Sequence, residues 1–205
     1  MKRADRENEI FETLQELTEN ELDFIVVGGY GVSAYQHRFS VDADLVIREK
    51  DLQKFAEAVE NRGFEKEKDR ELDVYGGRYI AYIKDKELPI TIDLLEDKLK
   101  CRQTDASWSY NYFQKHSHKK TIQGTEKEVE VQVPEKELLI ADKLHSGRRT
   151  DARDVVALAK DIDTEQVLKH LDRGNKQKLH NILEKIDERI GSEEFEDSFK
   201  GVFSQ

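Results

Sequence analysis

Residues Asp42-Ala43-Asp44-Leu45-Val46-Ile47 constrain the fold of this chain more than any other stretch, because only an extended strand sorts them by polarity. Alternation along a strand puts Asp42, Asp44 and Val46 on one face, and Val41, Ala43, Leu45 and Ile47 on the other. The apolar side predicts a strand packed on a core. The acidic side sets two carboxylates about 6.5–7 Å apart, able to ligate one magnesium ion or to share two ions roughly 3.5–4 Å apart. Two aspartates at this spacing also suit the wet face of an edge strand, and the motif by itself does not separate the two readings.

A third acid has a similar setting. In Pro89-Ile90-Thr91-Ile92-Asp93-Leu94-Leu95, Ile90, Ile92 and Leu94 alternate with Thr91, Asp93 and Leu95. If this strand neighbours the first at about 4.8 Å, the three carboxylates converge on one point, with Asp93 also placed to accept a proton from an attacking hydroxyl. Alternatively, Asp93 is a strand-end acid turning to water before Glu96-Asp97. Upstream, Gly28-Gly29 ends the apolar run 24–27 and precedes a short segment, 30–36, compatible with a helix. Amides freed at such a turn cradle phosphate, and a plain tight turn accounts for the two glycines equally well. The chain has no Gly-Lys-Ser or Gly-Lys-Thr and no spaced three-glycine fingerprint after the strand, which sets aside Walker-type and dinucleotide-binding loops.

The order Gly28-Gly29, then Arg38-Phe39-Ser40-Val41-Asp42-Ala43-Asp44-Leu45, then the isolated strand acid Asp93, resembles the signature of minimal nucleotidyltransferases of the DNA polymerase beta superfamily. It is most similar to the abortive-infection (AbiE-type) nucleotidyltransferase toxins. Lys143-Leu144 followed by Arg148-Arg149-Thr150-Asp151-Ala152-Arg153-Asp154 is similar to the helix lysine and downstream Arg-Asp pair of that family. The resemblance covers roughly residues 22–160; Tyr30-Gly31 departs from it where an alanine is commoner.

The resemblance implies an α/β (α+β) fold, a mixed β-sheet flanked by helices, with a nucleotidyltransferase core over 1–133 and a C-terminal helical region over 134–205 packed on it. It implies an NTP-dependent, pyrophosphate-releasing enzyme using magnesium, two ions, on Asp42, Asp44 and Asp93. Gly28 and Gly29 would approach the phosphates, Ser40 would touch phosphate and Arg38 phosphate or acceptor, unless both simply fix the turn, and Lys143 would steady the β and γ groups. Implied partners are the NTP, a hydroxyl acceptor that is RNA (such as a tRNA end), protein or a small molecule, and a cognate antitoxin. Two other classes stay open: a non-catalytic, antitoxin-like binding module of the same fold, and a phosphoesterase directing the same carboxylates at water.

In Glu137-Leu138-Leu139-Ile140-Ala141-Asp142-Lys143-Leu144, positions 139, 140 and 144 form an apolar stripe, with Lys143 at its edge. A lysine there snorkels to solvent or reaches into a cleft. Arg153 and Asp154 read as a pair locking adjacent helices, since the apolar run 155–158 begins beside them.

The 205 residues carry a net charge of −10, with 34 basic and 44 acidic side chains, which disfavours broad nonspecific binding to nucleic acid. Two local clusters remain, Lys115, His116, His118, Lys119 and Lys120 beside Trp108, Tyr110, Tyr112 and Phe113, and Arg148, Arg149 and Arg153. The first suits either a single-stranded end held by charge and stacking, or a solvated loop with its aromatics in the core. His116-x-His118 lacks a second ligand pair for zinc. Cys101, the single cysteine, excludes an internal disulfide and fits a reducing cytoplasm. No stretch of about 20 apolar residues occurs, so neither secretion nor membrane spanning is expected.

Periodicity predicts a helix over 6–18, another over 52–61 ending at Gly63, and strands near 64–67, 79–83 and 90–94, with Gly76-Gly77 marking a turn. A hairpin is expected from 120–123 and 129–133 around Gly124, then helices from about 135 to 190. Leu179, Ile182, Leu183, Ile186 and Ile190 form an amphipathic stripe, and Phe195, Phe199 and Phe203 hint at a last helix.

Overall fold

A computed structural model describes residues 3–72, 76–85 and 88–203. The chain divides into two compact units, one made of residues 1–99 and 109–134, the other of 100–108 and 135–205. The division falls at 134/135, and the short segment 100–108 groups with the later helices rather than with the sheet around it.

The first unit is built on a seven-stranded mixed sheet. Its strands are β1 (Ile25–Val27), β2 (Asp42–Ile47), β3 (Glu65–Glu71), β4 (Arg78–Lys84), β5 (Ile90–Glu96), β8 (Ser117–Gln123) and β9 (Glu128–Pro134), in the order β3-β4-β5-β2-β1-β9-β8. A hairpin of β6 (Lys98–Cys101) and β7 (Ala106–Ser109) lies between them in sequence. Strands β2 and β5 run parallel, as do β1 and β9; the other pairs in the sheet are antiparallel.

Helices α1 (Arg3–Glu19) and α3 (Leu52–Asn61) supply Ile10, Phe11, Leu14, Leu17, Phe55 and Val59 to a core shared with Val26, Ala43, Leu45, Ile47, Ile92 and Leu94. Each of these strand residues is completely buried. The alternation read from 42–47 is therefore realised: its odd-numbered residues face this core. Helices α2 (Gly28–Ser33) and α4 (Tyr110–Lys115) complete the unit.

The second unit holds helices α5 (Lys136–Ser146), α6 (Arg149–Leu158), α7 (Thr164–Leu171), α8 (Lys176–Ile190) and α9 (Glu193–Phe203). Ala152, Ile186 and Phe195 join α6, α8 and α9, with Ile182 and Phe199 packed against them. The tail helix expected from its phenylalanine spacing is present. The stripe on α8 is covered unevenly, since Leu179 and Ile186 are buried while Ile190 is 36% exposed. Among the described residues no helix is long and apolar enough to cross a membrane.

Candidate active site

Register places the strand acids. In the parallel pair β2–β5, Asp44 stands directly opposite Asp93, and Asp42 opposite Thr91. On the other side of β2, Asp44 is opposite Val27, and beyond β5, Asp93 is opposite Ala81. Register partners share a face, so Asp42, Asp44 and Asp93 all lie on the face turned away from the α1/α3 core. The neighbouring of the two acid-bearing strands, assumed from sequence, is what the sheet order provides. Convergence on a single point is not: among the described residues the three do not offer oxygens all within 4.8 Å of one another. Two of them are instead committed to local donors. Ser40 Oγ donates to Asp42 Oδ1 at 2.5 Å, and the Tyr79 hydroxyl donates to Asp93 Oδ2 at 2.8 Å.

The Asp93 carboxyl is strongly perturbed. Burial pushes its carboxyl up, the Tyr79 hydrogen bond pulls it down, and the charge of Asp42 raises it again, leaving it at about 6. Lys68 and Arg70, on the edge strand β3, pull in the opposite direction. Its Oδ1 is buried without a hydrogen-bond partner. An orphaned carboxylate oxygen amid like charges is a donor set that a hard divalent cation fits.

A stability consequence follows for the metal-free protein. The folded value near 6 exceeds the unfolded value of 3.8, so ionised Asp93 destabilises the fold above pH 6. That cost fades as pH falls from 6 toward 4, where the folded state takes up the proton first. Asp93→Asn is therefore expected to raise Tm at pH 8 in the presence of a chelator, by about 2–4 °C per kcal/mol relieved, with the gain shrinking as pH falls through 6 and vanishing below about pH 4. Melting curves at the two pH values check this; a gain independent of pH would contradict it.

The glycines fit against these acids. Gly28 has φ +60, and a Cβ there would lie 1.9 Å from Asp44 Oδ2. A Cβ on Gly29 would lie 2.5 Å from Ser40 Oγ and 2.8 Å from Arg38 Nη2. The strand-to-helix turn is thus as close to the acid face as a backbone without side chains can come. Tyr30, the departure from the family pattern, serves the structure: it is fully buried and donates from its hydroxyl to the Ser40 carbonyl at 2.8 Å. Ser40 in turn orients Asp42. Gly28→Ala is expected to displace the Asp44 carboxylate and lower the transfer rate about 100-fold, as a misplacement of roughly 1 Å does at a reacting centre. Single-turnover rates with labelled triphosphate measure it, and a rate within threefold of wild type would refute it.

In the second unit, Lys143 is neither at an edge nor snorkelling. It is 2% exposed, and its Nζ lies 2.9 Å from Asp154 Oδ2 and 3.3 Å from Asp151 Oδ1. The partner of Asp154 is thus Lys143 on α5 rather than Arg153, which donates to Ser198 Oγ at 3.2 Å. Asp151 also accepts from the Arg148 backbone N–H at 2.9 Å and from its Nε at 3.1 Å. Burial pushes the Asp151 carboxyl up, but Lys143 and Arg148 outweigh it and hold it below its usual value.

Among the aromatics flanking the basic cluster, Trp108, Tyr110 and Phe113 are buried, so they do not form a stacking platform. The residues sequence reasoning missed are Tyr79, Lys68, Arg70 and Asp151. Only strand register reveals the first three, because they approach Asp93 from the neighbouring strand β4 and the edge strand β3.

The sequence over residues 13–204 matches the family described as nucleotidyl transferase AbiEii toxin, type IV toxin–antitoxin system. No curated protein matches. Among solved structures, the fold is similar to the lincosamide antibiotic adenylyltransferase LnuA with lincomycin bound, at 17% identity and a TM-score of 0.52, over 76% of this chain and 98% of that one. It is also similar to ANT(2")-Ia in complex with adenylyl-2"-tobramycin, at 15% identity and a TM-score of 0.54, over 86% of this chain and 95% of that one.

Proposed function

The chain belongs to the nucleotidyl transferase AbiEii toxin family, and from that premise we propose that it moves a nucleoside monophosphate from an NTP to a hydroxyl acceptor, with Asp42, Asp44 and Asp93 holding magnesium. The observation that carries this reading is the register pairing of Asp44 with Asp93 on adjacent parallel strands, on the face away from the core. Bound there, the cation would neutralise charge on the triphosphate and polarise its phosphoryl oxygens.

The rest is done by the protein's own groups. Asp93 Oδ1 takes the proton of the acceptor hydroxyl as its oxygen forms a bond to the α phosphorus, while the bond to the pyrophosphate oxygen breaks in line. Ser40 holds Asp42 in place. Gly28 and Gly29 let backbone amides approach the phosphates, and Arg38, beside Gly29, is placed to pair with them. Positioning and charge neutralisation supply most of the acceleration. Lys143 we assign to the buried pairs with Asp151 and Asp154, since reaching a phosphate would mean leaving both.

Membership of a toxin family supports an acceptor on which a cell depends, and the end of a tRNA is the one proposed, with a cognate antitoxin as partner and the cytoplasm, where NTPs are plentiful, as the place of action. The small antibiotics in the structural relatives favour a second acceptor, a small-molecule hydroxyl. The test is incubation with each α-labelled NTP, magnesium, and RNA, protein or aminoglycoside. Label in the RNA supports the first acceptor, and label in the antibiotic the second. Monophosphate without a labelled acceptor would establish a phosphoesterase, and no consumption of NTP a binding module.

A further inference from the structure

Asp93 has two chemically equivalent oxygens, yet the fold treats them differently: Oδ2 accepts the Tyr79 hydroxyl at 2.8 Å, while Oδ1 is buried without a hydrogen-bond partner. The donor comes from outside the acid-bearing strands. Ala81 is the register partner of Asp93 and Tyr79 that of Leu95, so Tyr79 reaches Asp93 along the diagonal between antiparallel neighbours, a span aromatic side chains cover. The ring is itself held from the edge strand. Arg70 is the register partner of Tyr79, and its guanidinium lies 4.3 Å from the ring centroid. Strand β3 is exposed at every position, so Arg70 has little packing reason to lie there.

We propose that Tyr79, clamped by Arg70, is a positioning residue: its hydroxyl occupies Asp93 Oδ2, fixes the carboxylate plane, and leaves Oδ1 alone to meet the reacting groups. This rests on the nucleotidyl transfer proposed above. A carboxylate free to rotate about its Cβ–Cγ bond would present either oxygen or chelate a cation with both. Fixing one oxygen removes that choice before substrate arrives, which is how an outer partner of a ligating carboxylate acts. Tyr79 keeps its own proton throughout. The proton that moves goes from the acceptor hydroxyl to Oδ1.

Tyr79→Phe keeps the ring and removes only the donor. The expected result is a kcat about 10- to 100-fold lower, the usual effect of losing an outer-shell partner, with KM for the triphosphate moved less than about twofold. Manganese affinity, titrated by calorimetry without substrate, is expected to stay within about threefold of wild type or to tighten, because the freed Oδ2 permits chelation. Arg70→Ala is expected to lose part of the rate, and Arg70→Lys to regain part of that loss. A Tyr79→Phe enzyme with wild-type kcat would overturn the inference. So would parallel loss of kcat, manganese affinity and Tm, which would make Tyr79 a structural residue only. Wild-type protein that transfers no nucleotide to any acceptor would overturn the function on which the inference rests; an active wild type with an equally active Phe variant overturns the role of Tyr79 alone.

Discussion

Asp44→Ala is expected to abolish nucleotidyl transfer, lowering the rate by on the order of 10³-fold or more, equivalent to about 4 kcal/mol of transition-state stabilisation. Asp44 is the shared element of the candidate site. It stands in register with Asp93 on one side and with Val27, at the mouth of the glycine turn, on the other. Its Oδ2 fills the space where a side chain on Gly28 would otherwise project. Removing it takes away a proposed cation ligand and opens a gap between the turn and the sheet, so both the charge and the geometry proposed to orient a triphosphate are lost together. Folding is expected to survive, because Asp44 lies outside the apolar core and its removal relieves repulsion between like charges. The measurement is incorporation of α-labelled nucleotide with magnesium, alongside thermal melting. A variant that keeps its Tm and retains more than about a tenth of wild-type activity would mean that the chemistry happens elsewhere, since a tenfold change corresponds to only about 1.4 kcal/mol.

The period-two alternation of 42–47 could be read directly because it is a local consequence of strand geometry, and the same holds for 90–96. What local pattern does not contain is which strands become neighbours. Asp93 joins the site only if its strand lies beside β2, and the fold realises that through a parallel pairing that no short-range signal encodes. Strand β3 shows the converse. Its sequence, Glu65-Lys66-Glu67-Lys68-Asp69-Arg70-Glu71, has no apolar face, so only its first residues were expected to be extended, whereas the strand runs on through Glu71 against β4. A charged edge strand is a known way to discourage pairing with other chains, and such a strand carries no periodic signature. Lys68 and Arg70 were therefore invisible as neighbours of Asp93. The hairpin of β6 and β7 and the helix α4 were missed for a related reason, being too short for periodicity to accumulate.

Lys143 shows how far helical periodicity can mislead. The stripe Leu139, Ile140, Leu144 places position 143 at an edge, and an edge lysine ordinarily keeps its charge in water. What buries it is α6, which brings two carboxylates from 8 and 11 residues downstream; Asp151 is completely buried and Asp154 is 2% exposed. Three charged groups in one buried place are stable only as a set. Lys143→Met, close in volume but uncharged, strips the cation from both acids and is expected to cost about 3–5 kcal/mol, as breaking a buried pair does.

In a chain of this size that loss corresponds to a Tm lower by roughly 10 °C or more, read by calorimetry. The pH dependence separates this cause from lost packing. In wild type the Asp151 carboxyl is held low, so its contribution is present above the unfolded value of 3.8 and is lost only as pH falls below it. Without the lysine the Asp151 carboxyl takes up its proton earlier and escapes part of its penalty. The gap in Tm between the proteins should therefore narrow as pH is lowered toward 4, and a second substitution, Asp154→Asn, should restore part of the loss at neutral pH. If Lys143→Met instead melts within about 2 °C of wild type while transfer collapses, the ammonium belongs to the nucleotide and the buried pairs are incidental, since a broken buried pair should shift Tm several-fold more.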